Sequence, residues 1–486
     1  MTSRGVLLRS VLVLAVVVLT VLGVAGGGLR WGLYATGLYR DGGVATVDPL
    51  VFHHSDISSS RLPAAPSEPV LPLATPQPGT TAAGVAARID ALGPVSGEQF
   101  GVVIDQSTGE VLYAHDADGP AVPASTLKVL TSLAALDVYG PDHRFTTQVR
   151  RDPAEPTRLY LVGGGDPYLA KGVVDGASNG QPAGRTSILD LAAATATALA
   201  EASAPDETTP APGLIELVVD TSLFAGPGWN PEWIGVYRSY AAETTALWVD
   251  GARSTGEAVG PRDADPAQVA AEAFADELRA LGVEVAAINS GVAPEAAVRV
   301  AQVESVPVEN IVEQVLIYSD NDAAEVLFRH VGRAGGRTGS ITDAHAAMEE
   351  VLTGLGAWSD GMQIVDGSGL ARSNRVSARS LTHAVALAVK PESERYRAIT
   401  TGMAVAGVEG TLASRFVEDG TEAGRGLVRA KTGTLTNVHS LAGYVRSHDG
   451  ALLVYAFLVN GEQQEYQTRV WLDRVTAALA SCGCHS

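Results

Sequence analysis

The chain opens on a single unbroken apolar run. Residues 10–29 carry no charge, and 11–22 are nearly all Val, Leu and Ala. About 20 such residues cross a bilayer core as a helix, and Arg4 and Arg9 ahead of the run favour a cytoplasmic N-terminus at 1–9. The run therefore predicts a transmembrane anchor over 10–29, with a cleaved signal peptide as the rival reading. Both readings place everything downstream outside the cytoplasm. Residues 30–82 show little periodicity, and Pro63, Pro66, Pro69, Pro72, Pro76 and Pro78 make them a stiff extended spacer.

Past residue 83 the pattern alternates between the period of two of a strand and the longer period of a helix. Residues 100–104 and 110–114 flank a turn and predict a β-hairpin. A helix is expected over 123–136, closed by Gly140 and Pro141. Short strands are expected at 159–162 and 214–219, and helices at 188–202 and 266–281. Pro307 suits a first helical position, and the helix it opens runs to about 318 and resumes from 321 to 332. Near the end come strands at 426–431, 441–445 and 451–459, then an amphipathic helix over 466–479. No repeat recurs at fixed spacing. The early hairpin and the late strands fit one sheet. This gives an α/β core over 83–143 and 263–481, with an inserted mixed α/β domain over 144–262.

Composition narrows the function. Of the 486 residues, Lys and Arg number 34 and Asp and Glu 54, a net charge of -20. Such a chain has no cation excess to displace phosphate counterions, which excludes general nucleic-acid binding. A hydrophobic content of 46% excludes global disorder. The two cysteines, Cys482 and Cys484, exclude a disulfide scaffold or zinc ribbon; in the last few residues they read as a frayed tail, with a small disulfide or a weak metal site as the alternatives. The 10 histidines are scattered without a metal-ligand pattern, so no metal or cofactor is expected. His439 reads as a structural residue at a strand edge.

Lysine is the scarce residue. Only Lys128, Lys171, Lys390 and Lys431 occur, and two of these lie in short motifs. In Ser125-Thr-Leu-Lys128 the two polar residues share a helical face, so the amine can reach the hydroxyl. A serine becomes a useful nucleophile when an adjacent base takes its proton, and a lysine is that base only when neutral. Ser319-Asp320-Asn321 falls at a break between helical stretches; the bland alternative is a helix cap. Lys431-Thr432-Gly433-Thr434 falls at the end of a strand, where Gly433 would let a substrate lie against the backbone. Each motif alone is weak. Their conjunction and order are those of the penicillin-interacting serine acyl enzymes.

The sequence resembles the class C low-molecular-mass penicillin-binding proteins, the D-alanyl-D-alanine carboxypeptidases and endopeptidases of peptidase family S13. The likeness extends to Gly163-Gly-Gly-Asp-Pro167, Asp220-Thr-Ser-Leu-Phe224 and Asp366-Gly-Ser-Gly-Leu370, and covers roughly residues 83–479. It implies a DD-peptidase/serine β-lactamase-like fold, an antiparallel sheet flanked by helices beside an all-helical part, with the insert after the first motif. It also implies Ser125 as nucleophile, Lys128 as base, and Ser319 and Lys431 as proton carriers to the departing D-alanine. Asn321 would meet the substrate backbone and Lys128. Asp320, Thr432, Gly433 and Thr434 would help bind substrate, with Lys431 as a fixed positive charge. Backbone N–H groups of Ser125 and Thr434 would form the oxyanion hole. Like-charge repulsion between the two lysines would help Lys128 stay neutral. Peptidoglycan peptides and β-lactams are the implied partners. The rivals are a β-lactamase or esterase on the same fold and a non-catalytic cell-wall scaffold. The long insert and the absence of an obvious deacylating Glu loop argue against a class A β-lactamase, and the intact motifs against the scaffold.

Overall fold

The computed structural model describes residues 80–174, 176, 180–202 and 214–484. The expected anchor and the spacer ahead of Thr80 lie outside the described residues. Among the described residues no helix is long and apolar enough to cross a membrane.

The chain runs α1 (Ala82–Asp90), β1 (Glu98–Asp105), β2 (Val111–His115), then a 3-10 helix (Ala124–Thr126) leading directly into α2 (Leu127–Tyr139). Next come β3 (Thr146–Arg151), β4 (Arg158–Val162), α3 (Ile188–Ala202), β5 (Ile215–Asp220), α4 (Pro266–Ala280), β6 (Val285–Ser290) and β7 (Val298–Glu304). A helical stretch follows: α5 (Val308–Ile317), α6 (Asn321–Val331), α7 (Ile341–Gly354), α8 (Ala378–Ala388) and α9 (Arg397–Thr401). The chain closes with β8 (Ala404–Val405), β9 (Arg429–Leu435), β10 (Val438–Arg446), β11 (Leu452–Asn460) and α10 (Glu465–Ala480).

The first sheet has strand order β2-β1-β11-β10-β9-β8, with every pairing antiparallel. Its early hairpin and late strands meet at β1 and β11, as the sequence pattern requires. Strands β10 and β11 are buried on both faces, which is why they read as near-continuous apolar runs. Alternate residues divide between two cores. Ala442, Val454, Ala456 and Leu458 pack with the helical part around α2. Leu441, Leu453, Tyr455 and Phe457 pack on the other side with Val85 of α1 and Leu472 and Val475 of α10. Helix α2 is buried at every residue from Leu127 to Leu136, because it is the central helix of the helical part. Its burial carries Lys128 inside.

The second sheet has order β6-β5-β4-β3-β7 and mixes parallel with antiparallel pairs. Helices α3 and α4 cover it through Leu191, Leu199, Phe274 and Leu278. The expected boundary at 262 is therefore too early: α4, β6 and β7 belong to this sheet, which runs on to Glu304. Strand β6 is Ala- and Asn-containing and half exposed, so its apolar signal is too weak to read. The stretch between β5 and α4, expected inside the insert, packs on its core through Leu247 and Val249 and also lies against the helical part. Trp233 Nε1 donates to Asp366 Oδ2 at 2.8 Å, and Asn230 Nδ2 to Val365 O at 2.8 Å.

The C-terminal cysteines are not a frayed tail. Cys482 and Cys484 are buried and disulfide-bonded to each other. Thr81 N donates to Cys484 O at 3.0 Å, and Val85 of α1 shares their core.

Candidate active site

Ser125 sits in the 3-10 helix, one turn ahead of Lys128 in the first turn of α2. The spacing that suggested contact delivers it: Lys128 Nζ donates to Ser125 Oγ at 3.0 Å. The same amine donates to Asn321 Oδ1 at 2.8 Å and to Ser368 O at 2.7 Å. Lys128 is 0% exposed, so its three donors are directed at three fixed acceptors.

Helices α5 and α6 are separated by a turn through Ser319, which has φ 61, a left-handed conformation uncommon for serine. Asp320 then caps α6, accepting from Ala323 N at 3.1 Å. Its carboxylate is buried and paired with Arg253 at 2.6 Å. Asp320 thus shapes the turn and also lines the cleft beside Ser319 and Asn321. The helix-cap alternative for this motif and the site reading both hold, for different residues. Asn321 is fixed by two bonds, accepting from Lys128 and donating through Nδ2 to Tyr240 O at 3.0 Å.

Lys431, Thr432, Gly433 and Thr434 lie in the body of β9 rather than at its end. A Cβ on Gly433 would fall 2.1 Å from Ser440 Oγ, 2.7 Å from Pro123 O and 3.1 Å from Ser125 N. The glycine is required by the nucleophile segment packed against the strand, which brings the backbone of Thr434 beside that of Ser125. This packing is a reason for glycine beside the expected one, room for substrate. Gly433→Ala should cost about 1–3 kcal/mol, because the clash includes backbone that cannot rotate away, and should slow penicillin acylation. Denaturant unfolding with Gly172→Ala as control checks it, since a Cβ on Gly172 meets nothing within 4 Å.

Lys431 is 0% exposed and donates to Thr432 O at 2.8 Å. Burial, and then the nearby Lys128, hold its amine well below the usual lysine range. It is not a fixed solvated charge in the free protein. For Lys128 the amine is pushed down to about 8, by burial. Asp366, Glu325, Asp320 and Asp322 all work against that shift. The expectation that repulsion between the lysines frees Lys128 is corrected: desolvation does it, and the repulsion is felt at Lys431. Thr432 Oγ1 donates to Thr411 Oγ1 at 2.9 Å. His439 is buried in the interior strand β10 opposite Thr434, not at a sheet edge.

Ser125, Ser319, Asp320, Asn321, Thr432 and Thr434 line one cleft of about 260 Å³, with Tyr240, Arg253, Tyr318, Asp322, Leu370 and Thr411 among its walls. The three motifs, distant in sequence, therefore converge on a single cavity. The 366–370 segment stands out in the sequence, but its role does not. Asp366 gathers Gly369 N (2.9 Å), Ala371 N (2.6 Å), Asn374 Nδ2 (2.7 Å) and Trp233 Nε1 (2.8 Å), and this knot aims Ser368 O at Lys128. Gly369 has φ 83, and a Cβ there would lie 1.9 Å from Ala124 O, so the knot fits only glycine beside the nucleophile. Glu325 is a site residue that the motifs do not include. Its Oε1 accepts from Gly367 N (2.9 Å) and Ser368 N (2.7 Å), and burial pushes its carboxyl up to about 8. No local pattern marks it, since it lies on a buried face of α6.

A serine beside a buried lysine, with a strand backbone at its flank, has the chemistry of serine acyl transfer. Its family follows from comparison with known proteins. The model of the D-Ala-D-Ala carboxypeptidase 3 (S13) family matches residues 81–261 and 239–479, and the chain belongs to that family. It is 33% identical over 448 residues to a carboxypeptidase DacB of Mycolicibacterium smegmatis, covering 89% of this chain and 92% of that one. It is 29% identical over 454 residues to a D-alanyl-D-alanine carboxypeptidase of Actinomadura, covering 81% and 82%. Among solved structures it resembles penicillin binding protein 4 of Haemophilus influenzae, with a TM-score of 0.63 at 19% identity, covering 80% and 97%. The fold is the DD-peptidase fold that the motifs implied.

Proposed function

We propose that this chain is a serine-type D-alanyl-D-alanine carboxypeptidase acting on peptidoglycan stem peptides, and that penicillin acylates the same serine. The carrying observation is the contact of Ser125 Oγ with the Nζ of a fully buried Lys128 whose amine is pushed down to about 8. In its neutral form Lys128 takes the Ser125 proton as Oγ attacks the carbonyl between the two D-alanines. The tetrahedral oxyanion lies between the N–H groups of Ser125 and Thr434. When the C–N bond breaks, the amine of the departing D-alanine receives a proton, with Ser319 as the relay from Lys128. Water, its proton taken by the same base, then attacks the ester and frees Ser125. Thr432 and Thr434 present hydroxyls to the peptide's terminal carboxylate, and the anion favours the charged form of Lys431 behind them.

A class A β-lactamase uses a glutamate carboxylate to drive fast deacylation. Glu325 accepts from two backbone amides through Oε1 and does not line the cleft, and the acids that do, Asp320 and Asp322, are paired with Arg253 and Arg262. Incubation with fluorescent penicillin should give a long-lived covalent adduct, and a pentapeptide ending in D-Ala-D-Ala should release D-alanine. Absence of both would end this reading, and rapid penicillin turnover would assign a β-lactamase. A cross-linked dimer as second substrate separates endopeptidase from carboxypeptidase action. The uncharged run at 10–29 supports a further proposal, a site of action on the outer face of the cell membrane. Fractionation of cells producing the full chain tests it, since recovery without membranes would exclude an anchor.

A further inference from the structure

The turn carrying Ser319 and Asn321 is held by side chains that belong to none of the three motifs. Arg253 Nη2 donates to Asp320 Oδ2 at 2.6 Å, and Arg253 Nε stands 3.8 Å from Asp322 Oδ2. Arg262 Nη2 donates to Asp322 Oδ2 at 3.1 Å, and Ala242 N to Asp322 Oδ1 at 2.7 Å. All four charged side chains are at most 5% exposed. The two acids bracket Asn321, which itself donates to Tyr240 O at 3.0 Å. Residues 240–262 thus clamp the turn on both sides, and Arg253 also reaches the cleft wall.

We propose that Arg253 is a positioning residue for acylation: paired with Asp320, it fixes the turn that presents Ser319 and Asn321 and offsets the negative charge beside Lys128. The proposal rests on the reading of Ser125 and Lys128 as nucleophile and base. Lys128 faces Ser125 Oγ, Asn321 Oδ1 and Ser368 O directly, Lys431 from β9, and four acids from the helical part. The charge of Asp366 is spread over four N–H donors, and burial favours the neutral form of Glu325. Asp320 and Asp322 are met instead by whole cations. Deleting the Arg253 cation leaves the Asp320 charge uncompensated, which stabilises the ammonium form of Lys128. The base then becomes available only at higher pH.

The test is the rate of acylation by fluorescent penicillin between pH 6 and 10, measured on the native protein and three variants. For Arg253→Gln the midpoint of the pH–rate profile should rise by about one pH unit, with acylation at pH 7 falling about tenfold and the high-pH plateau within a few-fold of native. Asp320→Asn, which keeps a helix-capping side chain and leaves Arg253 positive, should move the midpoint down. The charge-neutral double variant Arg253→Gln/Asp320→Asn should bring it back towards native. An unchanged midpoint in both single variants, or a uniform loss at all pH that the double variant does not relieve, would overturn the proposal. If Arg253→Gln does not fold, the downward shift of Asp320→Asn decides alone. A native protein that takes no label refutes the nucleophile assignment, and this proposal with it; that result is distinct from normal labelling with unshifted midpoints.

Discussion

Ser125→Ala should take no covalent label from fluorescent penicillin and should release D-alanine at least about 10⁴-fold more slowly than the native protein. The fold has little stake in the hydroxyl. It accepts one bond, from Lys128, and that amine keeps Asn321 Oδ1 and Ser368 O as partners. Thermal stability should therefore change little while chemistry is lost. Gel fluorescence, a D-alanine assay and a thermal melt on the same sample check all three parts. Residual labelling of the alanine variant would place the nucleophile elsewhere, since Ser319 also opens on the cleft.

Lys128→Ala should slow acylation by about 10²–10⁴-fold, the usual span for loss of a positioned general base. The pH dependence is the sharper part of this prediction. In the folded protein burial holds the Lys128 amine at about 8 instead of its ordinary 10.5. A base must be neutral, so the native rate should climb about tenfold per pH unit below 8 and level off above it. The alanine variant should lose this rise. A native profile flat from pH 6 to 9 would show that Lys128 is not the group whose deprotonation limits acylation. Removing a buried amine also orphans Asn321 Oδ1 and the Ser368 carbonyl, so some loss of stability is expected. Lys128→Met keeps the packing volume and separates that loss from catalysis.

Much of this site is legible in the chain's local patterns. The apolar runs at 441–445 and 451–459 locate the two central strands, because both faces of those strands are buried. The spacing of Ser125 and Lys128 carries its own geometry, since residues three apart share a helical face. The break between α5 and α6 is legible from Ser, Asp and Asn together, residues that end or start helices. The boundary of the second sheet is not legible. Strand β6 is a short, mostly exposed edge strand, and nothing in its pattern says which sheet it joins.

The sequence by itself determined which chemistry the site carries, because hydroxyl, amine and glycine at fixed short spacings are local properties of the chain. It also determined that these motifs share a fold with an early hairpin and late strands. Only the tertiary structure decided the protonation of the site. The low value of Lys128 comes from enclosure on every side of α2, and no stretch of sequence contains its own burial. The same holds for Asp320, whose place in the motif gives no sign of its buried pairing with Arg253. It holds as well for Gly433, whose missing side chain makes room for the nucleophile segment. In each case the deciding contact joins residues tens to hundreds of positions apart, where local pattern carries no information.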